Sequence, residues 1–242
     1  MTATHSLLEH TATDAQLAAR EKLMDLYCSS PLPIEDRLFN LGLYARSGVL
    51  VKFLVMADLY KRFLSVPGIL VEFGTWFGQN LVLLENLRAI LEPFNKQRRI
   101  VGFDTFTGYE GKQNFYATGK EYKDYLARLL KTHQRMNVYG HQDVDHELVE
   151  GDVTHTAPDY FTKRPEAIVA FAYFDIGLYE PTYWAMEAIK PHLVPGSILL
   201  LDQLTWDQAQ GEAVAFKEVF GQTGYKIEKC ALYPSKAIVT IA

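Results

Sequence analysis

The sequence has 242 residues, 48% of them hydrophobic and 22% charged, with a formal net charge of −5. That length buries a substantial core in one domain, or in a domain with an appendage. The acidic balance and the lack of any block of Lys and Arg exclude an electrostatic footprint for nucleic acid or anionic lipid, so the expected partner is a small soluble molecule.

Cys28 and Cys230 stand far apart without metal-ligand or redox spacing, which fits a reducing compartment. The first twenty residues mix Glu9, Asp14 and Arg20 with polar residues and hold no apolar leader core. The most apolar early stretch, GVLVKFLVMA, is short and contains Lys52. The expectation is a cytoplasmic protein without a membrane-spanning segment.

Residues 13–28 read as a helix, opened by a capping box from Thr13 to Gln16 and stopped by SSPLP. Apolar residues at three- and four-residue spacing, among them Leu38, Leu41, Val51, Leu54, Val55 and Leu59, predict helices over Ile34 to Ser47 and Val49 to Val66. Residues 1–66 are therefore expected to form a helical extension that covers the sheet or meets a neighbouring subunit, with residues 67–242 as the main domain.

From Pro67 onward short apolar runs alternate with amphipathic ones. ILVEF precedes Gln79 to Leu91, IVGF precedes Tyr122 to Thr132, and ELVEG precedes a short turn of helix near Asp159. AIVAFAYF then precedes Pro181 to Leu193, and SILLL precedes Glu212 to Phe220. Such runs, bounded by Gly and Pro, predict buried parallel strands with helical crossovers. YKIEKCAL and KAIVTIA, separated by Tyr233 to Ser235, suit an antiparallel pair completing the sheet. The fold class is α/β: a doubly wound, mostly parallel sheet with a C-terminal antiparallel strand pair and extra N-terminal helices.

Ligands of such a sheet sit outside the carboxyl ends of its strands, where the sequence places Glu72, Asp104, Asp152, Asp175 and Asp202. Any one of these acids reads more readily as a turn former or helix cap. Five along one edge call for a cationic or hydroxyl-rich ligand. In VEFGTWFGQN a strand runs into Gly74 and Gly78. A dinucleotide would set its pyrophosphate on this turn, where Glu72 would repel it. The glycines also leave only G-x-x-x-G, and Asp104 lies about thirty residues on, where the dinucleotide fingerprint wants its acid nearer. A nicotinamide-dependent oxidoreductase is thus the disfavoured alternative.

S-adenosylmethionine carries a sulfonium, an ammonium, a ribose diol and an adenine amine, all served by carboxylate acceptors. The expected cofactor-binding residues are Glu72, Gly74, Thr75, Trp76, Gly78 and Asn80 around the turn, then Asp104, Thr105 and Phe106 after the second strand. Asp152 and Val153 follow the third strand and Asp175 the fourth. Glu72 would hold the amino-acid head, Asp104 the ribose and Asp152 the adenine amine. Trp76, Phe77 and Phe106 either flank the base or sulfonium or pack in the core.

Several strings, VEFGTWFGQN, GFDTFTGYEG, VEGDV, YFDIGLYEPT, LVPGSILLLDQ and the GE at Gly211 and Glu212, resemble the macrocin O-methyltransferase family, especially its relatives that methylate deoxysugars or sugar nucleotides. The likeness runs from about Leu38 to Phe220. It implies a Rossmann-like class I methyltransferase fold, S-adenosylmethionine as cofactor, and transfer to a hydroxyl of a sugar, sugar nucleotide or glycosylated metabolite. It also implies a homo-oligomer, an acceptor-side insertion near 107–146, and often Mg²⁺ held by acids ending the fourth and fifth strands. Those positions are Asp175 and Asp202, with Gln203 alongside.

The chain departs from the family pattern at this point: D-x-D-LY reads with Gly177 in place of its second acid, and Gln203 replaces an acid after Asp202. Gln203 still offers a carbonyl oxygen, but two negative charges have gone. Metal use stays open, and so does a catalytically degenerate, S-adenosylmethionine-binding protein. Methyl transfer to a hydroxyl needs an aligned acceptor and removal of its proton. Asp175 and Glu180 are candidate bases, with Glu180 equally placed to cap the helix at Pro181. His133 is a further candidate base or a solvated surface residue. Tyr109, Tyr116, Tyr122 and Tyr125, with His141 and His146, form either a sugar-binding lid or an exposed helical excursion.

Overall fold

The structure is a computed structural model that describes residues 12–107, 119–137, 146–204 and 211–242. It divides into two compact units, Met1–Val51 and Lys52–Ala242. The division falls inside a helix rather than ahead of Pro67.

In the first unit α1 (Asp14–Cys28) opens with the expected capping box: Thr13 Oγ1 accepts from the Gln16 N–H at 3.3 Å, and Gln16 Oε1 accepts from the Thr13 N–H at 2.9 Å. This satisfies donors that a helix start otherwise leaves unpaired. Helix α2 (Ile34–Phe39) is shorter than the apolar spacing predicts. The chain turns at Asn40, whose side-chain amide donates to the Asp36 carbonyl at 2.9 Å, and Leu41–Leu43 follow as one 3₁₀ turn. The Asn side chain competes locally for backbone that a continuing helix would use. No residue of α1 or α2 is buried. Helix α3 (Ser47–Phe63) belongs to the second unit from Lys52 on. There Val55, Met56, Leu59, Tyr60 and Phe63 are buried at helical spacing, which puts one apolar stripe on the core.

The second unit holds β1 (Ile69–Phe73), β2 (Ile100–Asp104), β3 (Glu147–Glu150), β4 (Val169–Phe174), β5 (Leu193–Leu201), β6 (Tyr225–Lys229) and β7 (Ala237–Ile241). They form one seven-stranded sheet in the order β3-β2-β1-β4-β5-β7-β6. Pairing is parallel from β3 through β5, while β7 runs antiparallel between β5 and β6. β1 and β4 are buried along their whole length, as parallel strands covered on both faces must be. Phe73 stacks between Phe103 and Phe174 at centroid distances of 4.9 and 5.0 Å, joining three strands through one aromatic layer.

Helices α4 (Gln79–Leu91), α5 (Lys120–Met136), α6 (Val153–Thr162), α7 (Tyr179–Ile189) and α8 (Gly211–Phe220) lie between the strands in sequence. Where a short turn was expected, α6 has ten residues despite Pro158 in its interior. Burial of Ala157, Tyr160 and Phe161 outweighs the hydrogen bond that proline forfeits. The buried Arg98 guanidinium donates to the carbonyls of Val66 and Gly68 at 2.8 and 2.9 Å and pairs with Glu92 at 2.7 Å. A charge so deep is tolerated because its donors are met. Strand order reverses between β1 and β4, and in such sheets the ligand crevice opens at this switch point.

Candidate active site

β1 carries Glu72, which is 1% exposed, to the edge of that crevice. One of its carboxylate oxygens accepts from Asn80 Nδ2 at 2.7 Å; the other is buried with no hydrogen-bond partner among the described residues. Burial, reinforced by Asp175 and Asp104, pushes the Glu72 carboxyl up to about 8 against the opposing pull of the Asn80 bond. After β1, Gly74 and Gly78 adopt φ of +90° and +71°. A Cβ on Gly74 would stand 2.3 Å from the Asp175 carbonyl oxygen, and one on Gly78 2.5 Å from the Leu126 side chain. Glycine therefore lets the turn approach the end of β4 on one side and α5 on the other.

Asp104, the last residue of β2, accepts the backbone N–H groups of Trp76 at 2.7 Å and Phe106 at 2.8 Å. Both aromatic residues have positive φ, 46° and 56°, a region large side chains rarely occupy. Asp104 thus clasps two loops, and each oxygen keeps a second lone pair for a hydroxyl donor. Thr75 is buried and donates to the Phe103 carbonyl at 3.4 Å; Thr105 Oγ1 accepts from the Thr107 N–H at 3.3 Å. Asp152 caps α6, accepting the N–H and hydroxyl of Thr154, both at 2.9 Å. Val153 packs on the core.

The aromatic candidates separate by burial. Phe106 is fully buried and belongs to the core. The Trp76 and Phe77 rings lie 4.3 Å apart, with Phe77 exposed and Tyr122 edge-on to it at 5.2 Å. The Tyr122 hydroxyl donates to the Phe77 carbonyl at 3.0 Å, which places the start of α5 beside the glycine turn.

At the ends of β4 and β5 the buried Tyr173 hydroxyl lies 3.1 Å from Asp175 Oδ2 and 2.9 Å from Asp202 Oδ1. Lys236, which leads into β7, is buried; its ammonium donates to the Tyr173 hydroxyl at 2.6 Å and pairs with Asp202. Burial lowers the Lys236 ammonium to about 8, with Asp175 acting against the shift. Glu212, buried at the start of α8, accepts the N–H groups of Gly177 at 3.3 Å and Gln203 at 3.0 Å, tying together the loops after β4 and β5. Its carboxyl is pushed up to about 7 by burial.

The two departures from the family pattern meet in space. A Cβ on Gly177, whose φ is +72°, would stand 2.6 Å from Gln203 Oε1. Asp175, Asp202 and Gln203 were the expected Mg²⁺ ligands. A hard divalent ion wants near-octahedral oxygen ligands. Yet among the described residues no group of three His, Cys, Asp or Glu side chains is placed to hold a metal, and Asp202 already pairs with Lys236. Among the described residues, two carboxylates and one neutral amide oxygen, one of the carboxylates already paired with an ammonium, do not fit the ion.

Two base candidates are placed differently from expectation. Helix α7 begins at Tyr179, ahead of Pro181, and its N-cap Leu178 makes no side-chain cap bond. Glu180 therefore does not cap by hydrogen bonding; it lies exposed in the first turn, where the helix dipole favours an acid. His133 lies eleven residues beyond Tyr122 on α5, about 16 Å along the axis at the usual helical rise. A base must come within hydrogen-bond reach of its proton. Among the described residues, no hydrogen bond or ion pair joins His133 to the acids at the strand ends.

His146 is committed elsewhere: its Nδ1 accepts the Ile100 N–H at 3.2 Å, and its Nε2 lies 2.8 Å from the buried Glu85 carboxylate. Tyr109, Tyr116 and His141 lie outside the described residues. Sequence reading missed Tyr173 and Lys236. Their only signal was one polar atom added to an apolar strand run.

A parallel sheet reversing at β1 and β4, a glycine turn beside a buried acid, and a second acid closing β2 define a class I methyltransferase. A family model described as a methyltransferase domain matches residues 71–204, more than half of the sequence, and the chain belongs to that family. CalS11 in its apo structure, a TDP-rhamnose 3'-O-methyltransferase of calicheamicin biosynthesis, is 36% identical, with a TM-score of 0.86 over 95% of each chain. A second CalS11 structure superposes with a TM-score of 0.89, covering 95% of this chain and 93% of that one.

The 8-demethyl-8-(2,3-dimethoxy-alpha-L-rhamnosyl)-tetracenomycin-C 4'-O-methyltransferase of Streptomyces olivaceus is 27% identical over 165 residues, 65% of this chain. This chain spans 60% of that relative's length. The O-methyltransferase NovP, 16% identical with a TM-score of 0.59 over 79% of this chain and 80% of its own, shares the fold. These matches agree with the resemblance read from the motifs and overturn the oxidoreductase alternative. The cofactor of the family is S-adenosylmethionine. The site fits it through the unpartnered buried oxygen of Glu72, which suits an ammonium, and through the backbone approach that Gly74 permits.

Proposed function

We propose that this protein transfers a methyl group from S-adenosylmethionine to a hydroxyl of a deoxysugar presented as a sugar nucleotide or a glycoside. The observation that carries the acceptor class is the likeness, over 95% of both chains, to a TDP-rhamnose 3'-O-methyltransferase. When bound, the cofactor supplies an electrophilic methyl group on a sulfonium. Glu72, braced by Asn80, receives the ammonium; Asp104 accepts the ribose hydroxyls and Asp152 the adenine amine. Trp76 and Phe77 offer ring faces to the cationic centre.

On the acceptor side Asp175 is exposed beside the glycine turn and is the base that takes the hydroxyl proton. Glu180, exposed in the first turn of α7, adds negative charge on the same side. Tyr122 and Tyr125, with ring centroids 5.6 Å apart, support an acceptor-side role for the insertion near 107–146. The N-terminal helices serve as an extension through which two copies of the chain associate, and the enzyme works in the cytoplasm. Among the described residues no helix is long and apolar enough to cross a membrane.

The test is methyl transfer from labelled cofactor to TDP-rhamnose, related deoxysugar nucleotides and rhamnosides, read by mass spectrometry. One methyl per acceptor is expected. Asp175→Asn should lower turnover by about 10² to 10⁴-fold, the range for a positioned base, while still binding cofactor. Cofactor binding with no methylation of any hydroxyl acceptor would leave a degenerate binding protein as the correct reading.

A further inference from the structure

We propose that the Lys236 ammonium takes the place of a divalent cation at the ends of β4 and β5, so that methyl transfer by this chain is independent of metal. The inference rests on the methyltransferase reading above and concerns what holds its carboxylates in place.

Asp175 and Asp202 approach each other through the Tyr173 hydroxyl, which lies 3.1 and 2.9 Å from them. Two such acids need a counter-charge. Lys236 supplies it from the β6–β7 side of the sheet: its ammonium pairs with Asp202, donates to Tyr173 at 2.6 Å and lies 4.9 and 4.7 Å from the ring centroids of Tyr173 and Tyr233. Both side chains of the ion pair are mostly withdrawn from water, at 7% and 18% exposure, so the attraction is little screened.

A second cation entering here would face the ammonium at close range. Among the described residues, no third acid is placed with Asp175 and Asp202 to hold it. The two positions that lost their carboxylates, Gly177 and Gln203, are neighbours in space: a Cβ at 177 would stand 2.6 Å from Gln203 Oε1. Glu212, buried nearby, accepts the backbone N–H groups of Gly177 and Gln203, one on each oxygen. Lys236 is therefore a positioning residue: it orients Tyr173 and Asp202, and through Tyr173 the base Asp175.

Binding of Mn²⁺ is read by electron paramagnetic resonance on the full chain with S-adenosylhomocysteine present, which requires no acceptor. The free Mn²⁺ signal should be undiminished by equimolar protein at submillimolar concentration. Turnover after exhaustive chelation should stay within twofold of that with added Mg²⁺. Lys236→Met should lower turnover at least tenfold, with no rescue by Mg²⁺. The combined variant Gly177→Asp, Gln203→Glu, Lys236→Met should acquire Mn²⁺ binding, since Asp tolerates positive φ better than most residues. One Mn²⁺ bound per wild-type chain, or a tenfold loss of turnover on chelation, would overturn the proposal. So would full turnover in a folded Lys236→Met. Should that variant not fold, the two wild-type measurements still decide. Absence of methyl transfer to every sugar would count against the proposed acceptor, whereas Mn²⁺ binding would count against the cation assignment.

Discussion

At the scale of single residues, Glu72 couples cofactor binding to protonation. Its folded-state value, about 8, lies above its ordinary 4.5 because burial disfavours the charge. The folded protein therefore keeps a proton that the unfolded chain releases. The resulting stability is fully present below about pH 4.5 and is lost as pH rises through about 8. An ammonium set against the unpartnered oxygen reverses that preference. At about pH 6.5, where an α-amino group is already charged, binding of S-adenosylmethionine should expel a proton. The calorimetric binding enthalpy should then vary with the ionisation heat of the buffer in the wild type and not in Glu72→Gln; identical slopes in the two proteins would remove the assignment. Glu72 was legible because an acid beside two glycines conflicts with phosphate binding. Tyr173 and Lys236 were not, because their partners are set by strand register rather than by nearby sequence.

At the scale of elements, the glycine turn holds the end of β1 against β4. In Gly74→Ala the added carbon would meet the Asp175 carbonyl at 2.3 Å in a backbone conformation with φ of +90°. The end of β4 must then move, and Asp175 with it. The expected result is at least tenfold weaker cofactor binding and a destabilisation of about 1–3 kcal/mol, typical of strain at a special backbone position. Gly42→Ala, which meets nothing within 4 Å, is the matched control and should change neither. Cofactor titration and thermal melting of the two variants check this; equal behaviour would show that the close approach is dispensable. The bounds of α4 could be read directly from periodicity, whereas α2 stops early at Asn40 and α6 continues through Pro158. In both misses a specific side-chain interaction or buried packing overrode the local pattern.

At the scale of the whole molecule, the first unit displays Met24, Ile34, Leu38, Phe39 and Leu43 at 63 to 90% exposure, while none of α1 or α2 is buried. Apolar side chains concentrated on α1, α2 and the 3₁₀ turn suit a self-complementary contact between two copies. Light scattering should give at least twice the chain mass for the wild type. A Leu38→Glu, Phe39→Glu double variant should give the single-chain mass with unchanged cofactor affinity, and a monomeric wild type would dismiss the contact. The doubly wound class, the β6–β7 hairpin and the crevice edge were all legible, since they follow from alternation and chain order. The seating of β7 between β5 and β6 was not, because register between distant strands leaves no local trace.

That seating has a consequence for assembly. Among the described residues β6 pairs with β7 alone, and β7 forms the seam against β5. Lys236 immediately precedes that strand. Until the seam zips shut, Asp175 and Asp202 repel one another unrelieved. Completion of the sheet and the supply of a counter-charge to Asp175 and Asp202 are therefore a single event, and a misregistered seam would yield a site electrically unfinished as well as loosely knit.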